Sequence, residues 1–203
     1  MARRDRSGNA KSPPGRLRIV AGIWRSRRLE IADLPGLRPT SERVRETLFN
    51  WLAPSIEGSR CLDLFAGTGA LGLEALSRGA REAVFVEKAP RAVATLERNI
   101  RALGADNARV VAGDAMEFMQ SATQLFDVVF VDPPFADDRL ASVCSTLDRS
   151  GLLAPGAKVY LEQDRAAGEP GLPAGWMIVR NKTAGNVRFM LVSTVAESSG
   201  ENH

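Results

Sequence analysis

The sequence has few of the side chains that commonly carry acid–base or metal chemistry. The only histidine is the last residue, His203, which argues against histidine-based catalysis and against a zinc site with histidine ligands. The two cysteines, Cys61 and Cys144, are isolated from each other in apolar segments. This placement predicts two buried thiols rather than a disulfide or a metal pair. We therefore expect no metal site.

Long hydrophobic runs are also missing. No apolar stretch approaches the roughly 20 residues that cross a bilayer, and the arginine-rich first residues lack the apolar core of a secretory signal. We expect a cytoplasmic protein with no membrane partner. The 203 residues, 44% of them apolar, suffice for one good core, which predicts one α/β domain with a small appendage. We expect this chain to be a monomer.

Positive charge is concentrated at the start of the chain. Residues 1–45 contain 12 Lys and Arg against 4 Asp and Glu, whereas the remainder contains 15 against 20. A basic N-terminal segment that precedes an acidic main part of the chain indicates that this segment contacts phosphates. We expect residues 1–15 to form a flexible tail. For this tail, the alternative to phosphate contact is that its charges are solvated and serve only solubility. The polar residues 195–203 are expected to form a second flexible tail.

Residues 16–37 are expected to form a small N-terminal extension before the main domain, residues 38–194. Apolar and charged positions alternate over residues 17–21 and 29–31 around a turn that contains Gly22, which predicts a short β-hairpin. Its tip would carry three arginines beside Trp24, which either stacks on an unpaired base or pins the hairpin to the body. The predicted RNA-binding residues are Arg18, Trp24, Arg25, Arg27 and Arg28.

The next segment predicts a helix that begins at Thr40 or Ser41 and runs to about Leu52. Arg38 and Arg43 lie beside Thr40 at its start, where a helix N-terminus also favours anions. Ordinary capping explains Thr40 alone. The two arginines leave open a second interpretation, a ligand carboxylate or phosphate near this helix start.

A glycine-rich turn follows the first predicted strand of the main domain, residues 60–64. Gly67 and Gly69 permit a tight turn and a close approach to a ligand, and Gly72 permits close packing of the next helix on the strand. A second apolar strand ends in Glu87, which is placed to accept both hydroxyls of a ribose. This pattern fits a dinucleotide or any other adenosine-bearing cofactor.

The third and fourth predicted strands also end in carboxylates. Asp114 can accept from an adenine amino group, cap the helix that follows it, or do both. The fourth strand is followed by Asp132-Pro133-Pro134-Phe135. Prolines stiffen this turn and offer no N–H, so it presents acceptors beside an aromatic ring, a combination suited to a planar base with an exocyclic amino group. A strand-ending turn with a packing phenylalanine is the alternative interpretation.

The remaining pattern completes a mostly parallel sheet of seven strands. Residues 158–162 predict a fifth strand, and residues 176–179 and 187–191 predict two more. The link at residues 183–186 is too short for a crossover helix, so the last two strands should form an antiparallel hairpin. Ligands of such α/β sheets bind at the carboxyl ends of the strands.

Together these motifs resemble the Rossmann-like, class I S-adenosylmethionine-dependent methyltransferases. Residues 63–69 resemble their first motif, Glu87 and Asp114 their ribose and adenine contacts, and residues 132–135 the signature of enzymes that methylate exocyclic amines. Residues 38–52, with the basic hairpin before them, are similar to one branch. That branch is the RsmD family of bacterial guanine-N2 methyltransferases of small-subunit ribosomal RNA. The resemblance covers about residues 17–194.

The resemblance implies methyl transfer from S-adenosylmethionine to N2 of one guanine in 16S ribosomal RNA, either free or within a partly assembled small subunit. It implies catalytic roles for Asp132, Pro133, Pro134 and Phe135. The expected cofactor contacts are Arg38, Thr40, Arg43, Asp63, Phe65, Ala66, Gly67, Gly69, Glu87, Lys88, Asp114, Ala115 and Asp132. In such a reaction the sulfonium loses its charge, so catalysis rests on alignment and on fixed acceptors.

Three other functions share parts of this pattern. A nicotinamide-dependent oxidoreductase uses the same glycines but leaves Asp63 and the Asp-Pro-Pro-Phe turn unexplained. A DNA adenine-N6 methyltransferase uses a similar tetrapeptide, although this small chain has no inserted DNA-recognition domain. A nucleic-acid-binding protein could keep the cofactor pocket without catalysis, which the intact Asp132 argues against.

Overall fold

The computed structural model describes residues 16–34, 40–134 and 139–194. The predictions for both terminal tails, for Arg38 and for Phe135 lie outside these residues. The strands are β1 Arg16–Arg18, β2 Arg28–Glu30, β3 Arg60–Asp63, β4 Glu82–Glu87, β5 Ala108–Ala112, β6 Phe126–Val131, β7 Leu153–Asp164, β8 Met177–Ala184 and β9 Val187–Ser193. The helices are α1 Glu42–Ile56, α2 Ala70–Ser77, α3 Pro90–Leu103, α4 Ala115–Ser121 and α5 Leu140–Arg149.

Seven strands form one sheet in the order β5-β4-β3-β6-β7-β9-β8. The first five in this order are parallel, and β9 pairs antiparallel with both β7 and β8. The predicted fold class, a mostly parallel sheet with an antiparallel end hairpin, is therefore confirmed. The order reverses between β3 and β6, and a ligand crevice is expected beyond the carboxyl ends of these two strands.

Both faces of the sheet are covered, which explains why its inner strands are nearly continuous apolar runs. Side chains that alternate along β6 and β7 enter two different core clusters: Phe130 and Tyr160 lie on one face, Val131 and Leu161 on the other. Helices α1, α2 and α3 contribute to the first cluster, and α4 and α5 to the second. Among the described helices, none is long and apolar enough to cross a membrane.

The first strand of the N-terminal hairpin is shorter than the sequence predicts, and the second has the predicted length of three residues but begins one residue earlier. β1 and β2 pair over only three residues each, with Arg18 opposite Arg28, so Arg28 lies in a strand and not at the tip as predicted. Pairing continues only at Ile19, whose N–H donates to the Arg27 carbonyl at 3.0 Å, because the backbone N–H groups that follow in the turn donate to α2 instead. Ile23 N–H donates to the Ser77 carbonyl at 2.8 Å, and Trp24 N–H donates to the Ser77 hydroxyl at 3.0 Å.

Trp24 is half-buried against the core cluster that includes α1 and α2. This position corresponds to the second of the two interpretations given above, in which the indole pins the hairpin to the body. Gly22, at φ +84°, makes the close approach possible, because a Cβ there would lie 1.7 Å from the Ser77 carbonyl oxygen.

A buried ion pair joins the hairpin to α1 and α2. Arg45 of α1 and Glu74 of α2 are both 0% exposed, and their Nη1 and Oε2 atoms are 3.1 Å apart. Glu74 also accepts from the backbone N–H groups of Val20 and Ala21 at 2.8 and 3.0 Å. Arg45 donates to the carbonyl of Arg18. The apolar periodicity of α1 predicts its buried side but not this pair.

Candidate active site

A cavity of about 810 Å³ lies at the carboxyl ends of the parallel strands. The ends of β3, β4, β5, β6 and β7 form its floor, and the start of α1 and the β8–β9 turn also contribute to its wall. The predicted site residues in the wall are Thr40, Asp63, Phe65, Ala66, Gly67, Glu87, Lys88, Asp114, Ala115, Asp132, Pro133 and Pro134. The fold thus collects residues that are far apart in the chain.

The glycine-rich turn forms one side of the cavity. Gly67 and Gly69 have φ angles of +51° and +78°, a region in which a residue with a side chain is strained. A Cβ at Gly69 would lie 2.4 Å from Leu96 Cδ1, so Gly69 serves the turn and the start of α2 rather than the cavity wall. Gly67 N–H donates to Glu87 Oε2 at 2.8 Å, which joins the turn to the end of β4.

Glu87 and Asp114 hold the backbone around the end of the cavity next to the turn. Glu87 accepts a second bond from Ala89 N–H at 2.7 Å, so its two oxygens are oriented by two backbone donors. Asp114 accepts from Met116 N–H at 2.8 Å and caps α4. The capping role predicted for Asp114 is confirmed, and its adenine contact stays a prediction. Each carboxylate oxygen has lone pairs left for a ligand hydroxyl or amino group.

Asp63 ends β3 and is almost fully enclosed, at 3% exposure. Its carboxylate accepts from Gly72 N–H at 3.2 Å, which ties the strand to α2. Burial raises the pKa of Asp63 from 3.8 to about 7, the nearby charge of Glu87 adds to the rise, and the hydrogen bond from Gly72 opposes it. Asp63 therefore gains a proton near neutral pH in the ligand-free protein.

Asp132 follows β6 directly and is half-buried in the cavity wall. The Thr40 hydroxyl donates to Asp132 Oδ2 at 3.3 Å across 92 residues of sequence. Burial raises the pKa of the Asp132 carboxyl well above its usual value, and the charges of Glu162 and Asp63 raise it further, whereas Thr40 lowers it. Pro133 and Pro134 continue the wall beside it.

A carboxylate that the sequence motifs did not indicate lies beside Asp132. Glu162 of β7 is 5% exposed and lines the cavity. β6 and β7 pair Val131 with Leu161, so the next position on each strand places Asp132 beside Glu162. The signal was present in the sequence, because a lone glutamate that ends an apolar strand points to the same edge as the other strand-end acids.

Thr40 lines the cavity, but Arg43, on the first turn of α1, lies exposed and outside the wall. The ligand contact predicted for Arg43 has no support from this position and stays a prediction. In the hairpin, Arg18 pairs with Glu42 at 2.6 Å and Arg27 donates to the Ala102 carbonyl at 3.0 Å. Arg25 and Arg28 are exposed.

The cavity fits an adenosine-bearing sulfonium ligand in shape and charge. It has apolar surface for an adenine ring, strand-end acceptors for ribose hydroxyls and the adenine amino group, and several carboxylates for a positively charged group. Within the described residues, no cluster of three or more His, Cys, Asp or Glu side chains is arranged to hold a metal ion. The fold and the cavity are those of a Rossmann-like, class I methyltransferase, and the cavity fits S-adenosylmethionine.

The family model described as "Conserved hypothetical protein 95" matches residues 17–193. Ribosomal RNA small subunit methyltransferase D of Escherichia coli K12 is 46% identical over 190 residues, which cover 94% of this chain and 96% of the relative. The protein of the same name from Haemophilus influenzae is 40% identical, over 90% of this chain and 95% of the relative. The chain belongs to the RsmD family, the family of ribosomal RNA small subunit methyltransferase D.

Solved structures support the same assignment. The structure of the putative methyltransferase yhhF from Escherichia coli has a TM-score of 0.84 and 44% identity, and the match covers 90% of this chain and all of that one. SMU.776, a putative methyltransferase solved in complex with SAH, has a TM-score of 0.64 and covers 78% of this chain and 50% of that one. At 19% identity the second match shows the fold alone.

Proposed function

We propose that the protein transfers a methyl group from S-adenosylmethionine to the exocyclic N2 of one guanine in 16S ribosomal RNA. Relatives named ribosomal RNA small subunit methyltransferase D, at 46% and 40% identity over nearly full length, support ribosomal RNA as the substrate. The observation that carries the chemistry is the position of Asp132: a half-buried carboxylate at the end of β6, held by Thr40 in the wall of the cavity.

The cofactor would lie along the ends of β3, β4 and β5. The backbone of Phe65, Ala66 and Gly67 would pass close to it, Glu87 with Lys88 would hold the ribose, and Asp114 with Ala115 the adenine. When bound, S-adenosylmethionine supplies a methyl group on a positively charged sulfur, which becomes neutral when the methyl leaves. No residue is needed to protonate the leaving group, which agrees with a site built from acceptors.

Asp132 and the Pro133 carbonyl would accept the two N–H groups of the guanine amine. The lone pair of this nitrogen is delocalised into the ring, so the amine is a poor nucleophile. Two fixed acceptors would hold the nitrogen with its lone pair out of the ring plane and directed into the cavity. The role of Phe135 stays a prediction: its ring would stack on the base after the base leaves the RNA stack.

The hairpin supplies the RNA contact in this proposal. Arg25 and Arg28 are exposed on a unit that Glu74 and Ser77 fix to the body. Such a rigid cationic surface suits the phosphates that flank a target nucleotide. The cytoplasmic location expected from the sequence is part of this proposal, and a function on ribosomal RNA supports it.

A labelling experiment tests the function. The protein is incubated with isotope-labelled S-adenosylmethionine and, separately, unmodified 16S RNA, small-subunit particles that lack the modification, and DNA. We expect label in N2-methylguanosine from one of the two RNA samples, and the two samples distinguish free RNA from an assembled particle. Label in N6-methyladenine of DNA would instead support the adenine methyltransferase. Cofactor binding without any transfer would support a non-catalytic binding protein.

A further inference from the structure

Glu162 is a buried acid in the cavity to which the reaction described above gives no role. It follows Leu161 at the position where Asp132 follows Val131, and Val131 and Leu161 are register partners on neighbouring parallel strands. Side chains at matching positions of parallel neighbours point to the same face. The two carboxylates are therefore adjacent and both line the cavity.

Tyr160 fixes the position of Glu162. The two residues are separated by one position on β7 and share a face of the sheet, and the Tyr160 hydroxyl donates to Glu162 Oε2 at 2.6 Å. Tyr160 is 0% exposed and its ring packs edge-on against Phe130, 6.4 Å between centroids. The hydroxyl therefore has little freedom, and the glutamate that it holds is fixed beside Asp132.

The other charged groups near this acid pair are mostly acidic. Asp63 of β3 acts on Asp132 directly, and Asp164 of β7 and Arg139 before α5 line the same cavity. On the other side of β7, the register partner of Glu162 is the uncharged Phe189 of β9. The negative charge of Glu162 raises the pKa of Asp132, and burial raises the pKa of Glu162 itself.

We propose that Glu162 is a positioning residue for methyl transfer: held by Tyr160 beside Asp132, it makes Asp132 the acceptor of the proton that the substrate amine loses. This inference rests on the proposed function. In the methyl-transfer step, the N2–C bond forms as the S–C bond breaks, and the electron pair of the S–C bond stays on sulfur. One N2–H bond then breaks, its electron pair stays on nitrogen, and its proton passes to Asp132 and from there to water in the cavity.

The physical reason is the strength of the base. A carboxylate with an ordinary pKa holds a proton weakly, whereas a second carboxylate beside it makes proton uptake more favourable. Glu162→Gln keeps the shape of the side chain and an oxygen for Tyr160 but removes the charge. The pKa of Asp132 should then fall, so Asp132 remains ionised to a lower pH and is a weaker base.

The test is the pH dependence of kcat for the RNA that the wild-type protein methylates, either the 16S transcript or the particle. For E162Q we expect the acid limb to move to lower pH by about one unit and the plateau of kcat to fall roughly tenfold. The dissociation constant of S-adenosylhomocysteine should not change. The same substitution at Glu169, an exposed acid in the segment after β7, is the control and should leave the profile unchanged.

Tyr160→Phe provides an independent variant, because it keeps both carboxylates and the buried ring and removes only the hydroxyl. We expect its kcat to lie between those of the wild type and E162Q, with unchanged cofactor binding. If both variants keep the wild-type kcat and the wild-type acid limb, this inference is overturned and the proposed function stays intact. If E162Q does not fold, the same result for Y160F alone overturns it. A wild-type protein that methylates no RNA would overturn the proposed function, and this inference with it.

Discussion

Arg45 and Glu74 form an ion pair with no solvent exposure, 3.1 Å between Nη1 and Oε2. The pair is more than a contact between α1 and α2. Through Arg45 Nε it reaches the carbonyl of Thr40, whose hydroxyl bonds Asp132, and through Glu74 it holds the backbone of the hairpin. The proposed RNA-binding hairpin and the proposed catalytic acid therefore share one buried support.

Arg45→Met should lower the free energy of unfolding by about 2–4 kcal/mol, because it removes the fully buried one of the two cations that contact the Glu74 carboxylate, whereas Arg78 Nε stays 2.8 Å from Oε1. Denaturant unfolding followed by circular dichroism measures the loss. The matched control is Arg98→Met, since Arg98 and Glu30 form an exposed pair and such pairs contribute roughly 0–1 kcal/mol. An Arg45→Met loss no larger than that of the control would show that the buried pair does not stabilise the fold.

Gly22→Ala should detach the hairpin turn from α2. The added Cβ would lie 1.7 Å from the backbone oxygen of Ser77, and this oxygen cannot move without disturbing the end of α2. We expect faster amide exchange at Ile23 and weaker RNA binding, with unchanged cofactor binding. Gly58→Ala is the control, because Gly58 has a similar φ of +71° with nothing within 4 Å of the added atom. Equal effects of the two changes would assign the result to backbone strain alone.

Neutralising Arg25 and Arg28 together, each to Gln, should weaken RNA binding and flatten its dependence on salt. For each RNA phosphate that is no longer neutralised, the slope of log K against log salt becomes shallower by about 0.7–0.9. The affinity is measured at several salt concentrations by filter binding. Arg149→Gln on α5, an exposed arginine away from the hairpin strands, should leave the slope unchanged. An unchanged slope in the double variant would indicate another RNA-binding surface.

Asp132→Ala should lower kcat at least about a hundredfold, because one of the two proposed acceptors of the amine is removed. Cofactor affinity, measured by calorimetry with S-adenosylhomocysteine, should stay close to the wild-type value. Asp127→Asn changes a carboxylate at the other end of β6, where it pairs with Arg60, and should retain turnover. Near-normal turnover of the Asp132 variant would refute the role given to this residue.

Asp63 should make the ligand-free protein less stable as the pH rises from about 4 to about 7. Its pKa is about 7 in the folded protein against the ordinary 3.8, so the folded state takes up a proton that the unfolded state does not hold in this range. The contribution is fully present below pH 3.8 and is lost as the pH rises through about 7. Asp63→Asn should flatten this part of the stability curve, measured by denaturant unfolding at several pH values. Parallel curves for the two proteins would contradict the assignment to Asp63.

The sequence indicates where an element begins and ends when residues at its two ends are typical of such boundaries. α3 runs from Pro90 to Leu103, and the sequence itself marks both ends, with a proline in the first turn and Gly104 after the last turn. Other boundaries have no such marks. α1 continues four residues past Leu52 to Ile56, through Pro54. β7 begins five residues before the predicted start, with a shift of register against β6 that apolar periodicity does not encode.

Site residues that belong to a sequence motif could be predicted, whereas residues that reach the site only through tertiary contacts could not. Asp63, Glu87, Asp114 and Asp132 reach one cavity because each lies at or just after the end of a parallel strand. Burial of a charge depends on which element packs over it, and a helical pattern places arginine on the solvent side by default. Arg45 was missed for this reason, because it is buried through neighbours that are distant in sequence. Glu162 was missed although its position at the end of an apolar strand is the same signal that Asp63, Glu87 and Asp132 carry.

The position of β9 in the sheet determines when β8 can join the sheet during synthesis. β9 hydrogen-bonds to β7 on one side and β8 on the other, so β8 has no sheet neighbour until residues 187–193 are available. During synthesis, β3 to β7 can pair with one another in the nascent chain while β8 is still unpaired. The outermost strand of the sheet can therefore be added only after residues 187–193 have left the exit tunnel of the ribosome.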